Sequence, residues 1–475
     1  MTTQLHDLTA LEQADAIRRR EVSPTDLVEH YLQRIEQLNP QLRAFVRTTP
    51  ETARAGARAA ERAVLDGHLD GRELPPLHGV PTAIKDLNMV AGVPIRFGSA
   101  ALPEMVAPLD DHVVTLLKQA GAVSLGKTAT PEFGLPCYTE TDFDGATVTP
   151  WDTSRTAGGS SGGAAAAVAA GLVPFAQGSD GGGSIRIPAS CCGIFGLKTT
   201  RGRVSNGPLM GDLTGLAWNG PLARTVADAA AMLDAMAVPM PGDPHSQPPP
   251  AESFLSATTR EPDRLRIGRF STPVIAETPV HPECLAAWDD ATLLLSELGH
   301  QVEDVTVPLD PGVVASFEDV WTAATTPIPV PPDSEERLRP LTRWLRERGR
   351  QVSATRFLRA MAGMQAATRQ LAAATQGYDL LLSPTLAMPP VAAGWFTEPG
   401  DPAEDFERQK RFTPYTSVYN VSGQPAASLP LHWTPEGLPV GVMLAAPYGR
   451  EDLLLSVCAE VERARPWRDR TPPGW

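Results

Sequence analysis

Three residues of this chain stand where their types could carry acyl-transfer chemistry. Ser184 follows three glycines in AQGSDGGGSIRIP (176–188), Ser160 lies inside GGSSGG (158–163), and Lys85 ends the apolar run of HGVPTAIKD (78–86). Glycine costs conformational entropy in a folded segment, so a run of it marks a place where backbone must come close to something. That something is a phosphate, a packed neighbour or the oxygen of a reacting carbonyl. The N–H groups of Gly181, Gly182 and Gly183 could converge on one oxygen as an oxyanion hole, each such donor being worth about 3–4 kcal/mol in acyl transfer. Serine needs an adjacent base to act as a nucleophile, and no histidine lies near either serine in the chain. A Ser–Lys arrangement is the natural substitute. Taken alone, Lys85 reads as a half-buried lysine paired with Asp86 or another acid. Burial also opens a second role, that of a base with a lowered pKa.

Two other chemistries compete for the glycine-rich motifs. GGSSGG contains G-x-S-x-G centred on Ser160, the nucleophile elbow of α/β-hydrolases, and the chain order Ser, Asp, His could be completed by His281, His300 or His432. That elbow requires a strand immediately before it, and the preceding TVTPWDTSRTA is polar and broken by proline. Either glycine motif could cradle a phosphate, particularly GGSSGG, which opens a helix. Neither matches the P-loop or dinucleotide fingerprints, so a tight packing turn is the better reading.

The elements that must hold these residues follow from pattern and punctuation. HGVPTAIKD, AVSLGKT (122–128) and GLVPFAQGS (171–179) are short apolar runs bracketed by Gly or Pro, as strands buried on both faces are. VVTLLKQAG (113–121) and GGAAAAVAAG (162–171) read as helices between them. Residues 8–66 read as helical throughout, with Ser23-Pro24 as cap and first position of one helix. A Pro-rich connection follows TVADAAAMLDAMA (225–237). Beyond it RLRIGRF (264–270), a helix over 283–298 and HQVEDVTV (300–307) form a βαβ-like unit. Residues 311–376 read as helices around an irregular stretch, and YDLLLSPT (378–385) and QPAASLPL (424–431) resume the strands. Alternation of this kind predicts an α/β fold with a mixed or mostly parallel sheet.

With 475 residues the chain is long enough for a sizeable core. Its 42% apolar and 20% charged composition and net charge of −14 suit a soluble protein and disfavour nucleic-acid or anionic-membrane surfaces. No apolar run approaches a membrane span, and the first twenty residues lack the pattern of a signal peptide. Five cysteines without metal-ligand spacing read as buried thiols of a cytoplasmic protein. No metal or organic cofactor is expected.

The segment GGSSGGAAAAVAAGLVPFAQGSDGGGSIRIPASCCGIFGLKTTRGRV (158–204) resembles the defining segment of the amidase signature family. HGVPTAIKD, EFG (132–134), NGPLARTVADAA (219–230), YDLLLSPT, NVSGQPAASLP (420–430) and GLPVGVML (437–444) resemble the same family in the same order. The resemblance spans nearly the whole chain, least so over 240–375. It implies one domain over 1–475, with a central mixed sheet flanked by helices on both faces. Within it, 1–75 is an N-terminal helical region, 76–237 the catalytic core, 240–375 a variable part with a helical insertion over the substrate, and 376–475 the completion of the sheet. The implied machinery is Ser184 as nucleophile, Ser160 as bridging serine on a cis peptide bond, Lys85 as base and Gly181–Gly183 as oxyanion donors.

The chain departs from the family at Gly181, where threonine is usual, at Ala157 and Thr199, where prolines are common, and at Thr149, where asparagine is usual. The family also includes the A subunit of glutamyl-tRNA amidotransferase. That subunit commonly carries S-I-R-Q-P where this chain has Ile187, and GDLTGLAWNGPLART (211–225) differs from its usual run, which favours a stand-alone amidase. By position in the family, Leu135, Pro136, Tyr138, Gly158, Gly159, Phe317, Trp321 and Met388 would contact substrate, with Trp395 and Phe396 nearby. The absence of an arginine clamp suggests neutral hydrophobic or aryl amides, with side activity on aryl esters and carbamates. The partners implied are that small molecule and water, for a monomer or homodimer.

Overall fold

The computed structural model describes residues 4–70, 74–209, 211–308 and 311–475, with the side chains of 67–70 left aside. The Gly- and Pro-bracketed apolar runs become the strands of one eleven-stranded sheet. In chain order these are Phe45–Thr48 (β1), Pro81–Lys85 (β2), Val123–Thr128 (β3), Phe175–Asp180 (β4), Phe195–Lys198 (β5) and Trp218–Ala223 (β6). Arg266–Arg269 (β7), Gln301–Asp304 (β8), Leu380–Pro384 (β9), Ala426–Trp433 (β10) and Pro439–Ala445 (β11) complete it. Across the sheet the order is β1-β3-β2-β4-β6-β5-β10-β11-β9-β7-β8. The sheet is mixed, as expected. β3, β2 and β4 run parallel, β4 to β9 pair antiparallel through the middle, and β9, β7 and β8 are parallel again.

Every residue of β2 is buried, which is why the run carries no alternation. Against this part of the sheet lies the Ala-rich helix Gly162–Ala169 (α1), buried along its whole length. A Cβ at Gly163 would come within 2.3 Å of the Ala129 nitrogen, so only small residues let α1 approach the strands this closely.

The predicted elements need four corrections. The helical reading of 8–66 is interrupted by β1, because Arg43 turns left-handed (φ 53°) and the Asn39 side chain brackets Phe45 through both backbone groups. The strand in GLVPFAQGS begins only at Phe175, and that in HQVEDVTV ends at Asp304. β5, β6 and β11 carry no strand expectation from the sequence, and all three lie in the buried middle of the sheet. A strand, Asp152–Thr156, does precede GGSSGG, but it pairs with Val148–Thr149 and is outside the central sheet. The βαβ unit is present, with parallel β7 and β8 joined by the helix Pro282–Glu297. All five cysteines are buried and free. Among the described residues no helix is long and apolar enough to cross a membrane.

Candidate active site

β2 and β4 are parallel neighbours, and that pairing brings the two halves of the site together. Lys85 ends β2, and Asp180 ends β4 just before the glycines. The turn before α1 lies against both: the Ser161 N–H donates to the Ser184 carbonyl at 3.0 Å, and Ser161 Oγ donates to the Ser179 carbonyl at 3.1 Å. Within that turn the Gly159–Ser160 peptide bond is cis. A Cβ at Gly159 would meet the Tyr138 backbone at 2.7 Å, so this position is closed to any side chain.

Lys85 has no exposed surface. Its Nζ donates to Ser160 Oγ at 2.7 Å, to Ser179 Oγ at 3.1 Å and to the Ser179 carbonyl at 3.3 Å. The expected half-burial and pairing with Asp86 are therefore wrong: Asp86 pairs with Lys127, 2.8 Å away. Burial outweighs the attraction of nearby Asp180 and brings the Lys85 pKa down to about 7. The imidazoles of His300 and His432 bond Glu460 and Glu283, and His281 caps the Pro282–Glu297 helix, so none serves as a partner for Ser160.

The glycine run is held from below by a buried ion pair. Arg186 and Asp180 are both inaccessible, and the guanidinium meets the carboxylate through Nε at 3.0 Å and Nη2 at 2.9 Å. Burial alone would raise the Asp180 carboxyl, but this pairing and the Asn420 amide hold it well below the usual carboxylate range. Asp180 also accepts the N–H groups of Gly183 at 2.8 Å and Ile185 at 3.1 Å. This corrects the predicted oxyanion set, because the Gly183 N–H is already taken. Gly183 is a glycine for another reason: its φ is +136°, and a Cβ there would sit 2.4 Å from Thr416 Oγ1. That hydroxyl donates to the Gly182 carbonyl at 2.6 Å. Among the described residues the N–H groups of Gly181 and Gly182 have no hydrogen-bond partner, which leaves them free for a ligand oxygen.

Ser184 and Gly182 open onto a cavity of about 1030 Å³, its mouth included. Leu135, Pro136, Phe317 and Trp321 line it as predicted. The other predicted contacts, Tyr138, Met388, Gly158 and Gly159, are not in the lining. Tyr138 is buried beneath the wall, stacked on Phe396 and donating its hydroxyl to Asp405 at 2.6 Å. Met388 and Trp395 pack against that same cluster, away from the cavity. Gly158 and Gly159 form the turn under Ser160 without lining the space; the Gly158 carbonyl accepts from Thr139 Oγ1.

In their place the wall is completed by Ile187, by Phe406, Gln409 and Lys410 of the helix Pro402–Phe412, and by Val418 and Val421. The amphipathic pattern of PAEDFERQKRF could have nominated Phe406, but nothing in its sequence tells an active-site wall from ordinary core. Among the described residues the only charges in the lining, Glu318 and Lys410, are paired at 2.7 Å. The cavity is therefore an apolar space with the Ser184 hydroxyl and Gly182 at one end, and the Lys85–Ser160 contact lies in the adjoining turn, which Ser161 ties to the Ser184 carbonyl.

The chain matches the Amidase family over residues 26–455. It is 36% identical to the acylamidase of Rhodococcus erythropolis, over 99% of this chain and 98% of that protein. Its fold superposes on the structure of 6-aminohexanoate cyclic dimer hydrolase with a TM-score of 0.90 and 32% identity, covering 99% of both chains. It superposes on a bacterial aryl acylamidase of the amidase signature enzymes with a TM-score of 0.88 and 27% identity, covering 98% of both.

Proposed function

The chain belongs to the amidase signature family and is a hydrolase of non-peptide carbon–nitrogen bonds, and from that premise we propose a Ser184–Ser160–Lys85 relay acting on neutral hydrophobic or aryl amides. The observation that carries this reading is the contact of 2.7 Å between a fully buried lysine and the Ser160 hydroxyl, in a turn whose next residue, Ser161, bonds the carbonyl of Ser184 at the end of an apolar cavity.

Neutral Lys85 accepts the Ser160 proton as Ser160 accepts that of Ser184, and Ser184 Oγ bonds to the amide carbon. Negative charge moves to the carbonyl oxygen, where the Gly181 and Gly182 N–H groups stabilise it. Collapse breaks the C–N bond, and the proton returns from Lys85 through Ser160 to the departing amine. Water then enters, gives its proton to the same relay and releases the acid from Ser184. Aryl esters and carbamates present the same carbonyl with better leaving groups, so they follow as side substrates. The apolar lining, in which Glu318 and Lys410 neutralise each other, disfavours charged acyl groups.

The test is hydrolysis of 4-nitroanilides and 4-nitrophenyl carbamates by wild type and by Ser184→Ala, Ser160→Ala and Lys85→Ala. Loss of at least about 10³-fold in kcat/KM in the Ser184 and Lys85 variants is the expected result. Activity that survives in Ser184→Ala but is lost in Ser160→Ala would reverse the roles of the two serines.

A further inference from the structure

Phe317 and Trp321 stand one turn apart on the helix Pro311–Ala324, and their rings stack with centroids 5.5 Å apart and planes 16° from parallel. Both line the cavity, and both face the glycine run. A Cβ at Gly181 would touch the Trp321 ring at 3.4 and 3.5 Å and the Ala217 methyl at 3.3 Å; one at Gly182 would meet Phe317 Cζ at 3.8 Å. Gly181 has an ordinary negative-side backbone conformation, so no φ requirement explains its glycine. A lone Cβ there would just touch the indole and press on the Ala217 methyl, so any larger side chain would have to enter space that the indole and that methyl hold.

The rest follows from the four substituents of the tetrahedral carbon, and so rests on the reading of Ser184 as nucleophile. One is Ser184 Oγ. The oxyanion faces the Gly181 and Gly182 N–H groups. The leaving nitrogen must face Ser160, which returns its proton, and Ser160 lies on the Lys85 side, where a Cβ at Gly134 would be 3.3 Å from its Oγ. The acyl substituent is the one left to lie along the stacked rings.

We infer that Gly181, Phe317 and Trp321 form a shelf that selects a flat acyl group, aromatic or conjugated, bonded directly to the scissile carbonyl. A ring stacked on Phe317 or Trp321 gains an offset-stacking contact that a puckered ring of similar size does not make. Threonine at 181 would crowd the indole off its place and remove that discrimination.

The measurement is the ratio of kcat/KM for benzoyl 4-nitroanilide over cyclohexanecarbonyl 4-nitroanilide in wild type, Gly181→Thr and Trp321→Leu. Both substrates cross the same nucleophile and donors, so any general damage to the site divides out of the ratio. The shelf predicts a fall of about tenfold in each variant. In the unmodified protein, benzamide should compete at about tenfold lower concentration than cyclohexanecarboxamide, a result that needs no variant to fold. A ratio unmoved in both variants, or equal competition by the two amides, overturns the shelf. If wild type cleaves neither anilide, or Ser184→Ala cleaves them as wild type does, the nucleophile assignment falls and this inference falls with it.

Discussion

Lys85 makes no ion pair among the described residues; its Nζ reaches two hydroxyls and one carbonyl where no solvent touches it. An ammonium so placed is costly, and burial lowers its pKa to about 7. Two consequences follow with definite sign. The base works when neutral, so kcat/KM should rise as pH climbs through about 7 and then level; a profile flat from pH 5 to 9 would remove lysine from the relay. The unfolded chain holds this proton to about pH 10.4, so between the two values folding releases it. The destabilisation is complete below pH 7 and fades as pH rises toward 10. Lys85→Met should therefore lose at least about 10³-fold in activity. Its Tm should equal or exceed that of wild type, with the margin largest in acid and vanishing by about pH 10. A Tm below that of wild type at every pH would mean that the lysine's hydrogen bonds outweigh its desolvation.

The glycine loop owes its shape to neighbouring elements. The short helix Val418–Ser422 and the residues leading into it supply two of its fixings: Thr416 Oγ1 donates to the Gly182 carbonyl, and the Asn420 amide donates to the Asp180 carbonyl at 2.9 Å. The first fixes the Gly182–Gly183 peptide, whose N–H is held by Asp180, and so sets the direction of the adjoining Gly182 N–H across a single Cα, which makes Thr416 a positioning residue. Thr416→Val should lower kcat by about 10–100-fold with KM within about threefold, since an oxyanion donor acts mainly in the transition state. Thr416→Ser, which keeps the hydroxyl, should recover most of that loss. A valine variant whose KM rises while kcat holds would assign Thr416 to the cavity wall instead. The wall itself is stitched in the same manner. Cys137 N–H donates to Gln409 Oε1 at 3.0 Å, and Tyr138 donates to Asp405, so the 135–138 loop and the Pro402–Phe412 helix move as one piece.

At the scale of the whole molecule, the helical insertion over 311–376 is not a separate body in its packing. Its helices Pro311–Ala324 and Ala354–Thr375 line the Ser184 cavity, and Pro340–Arg350 packs against Phe406 of the wall. The sheet likewise runs from β1 near the N-terminal helices to β8 without interruption. We expect one cooperative unfolding transition in calorimetry, shifted upward by a Ser184-directed covalent inhibitor. Two transitions, with only one responding, would divide the chain into independent units. The cysteines report the same event: burial raises the Cys137, Cys191 and Cys458 thiols well above their ordinary range, and all five should react with a thiol reagent only after unfolding.

What the sequence determined by itself was local. A strand buried on both faces, a glycine that must approach backbone and a helix built of alanine each leave a compositional mark within a few residues. Lys85, Ser160, Ser184 and the mixed α/β sheet could be read from such marks and from the ordered motifs around them. Tertiary structure alone decided which charges and rings share a space. Asp86 stands next to Lys85 in sequence yet pairs with Lys127, because neighbouring residues of a strand point to opposite faces. Tyr138 and Phe406 are both aromatic residues of the same wall, yet Tyr138 turns into the core and Phe406 toward the cavity. Gly183 is indistinguishable from Gly181 and Gly182 in composition, and only the placement of Asp180 beneath it consumes its N–H. Burial and hydrogen-bond partnership are properties of contacts between segments up to several hundred residues apart, and no window of sequence contains them.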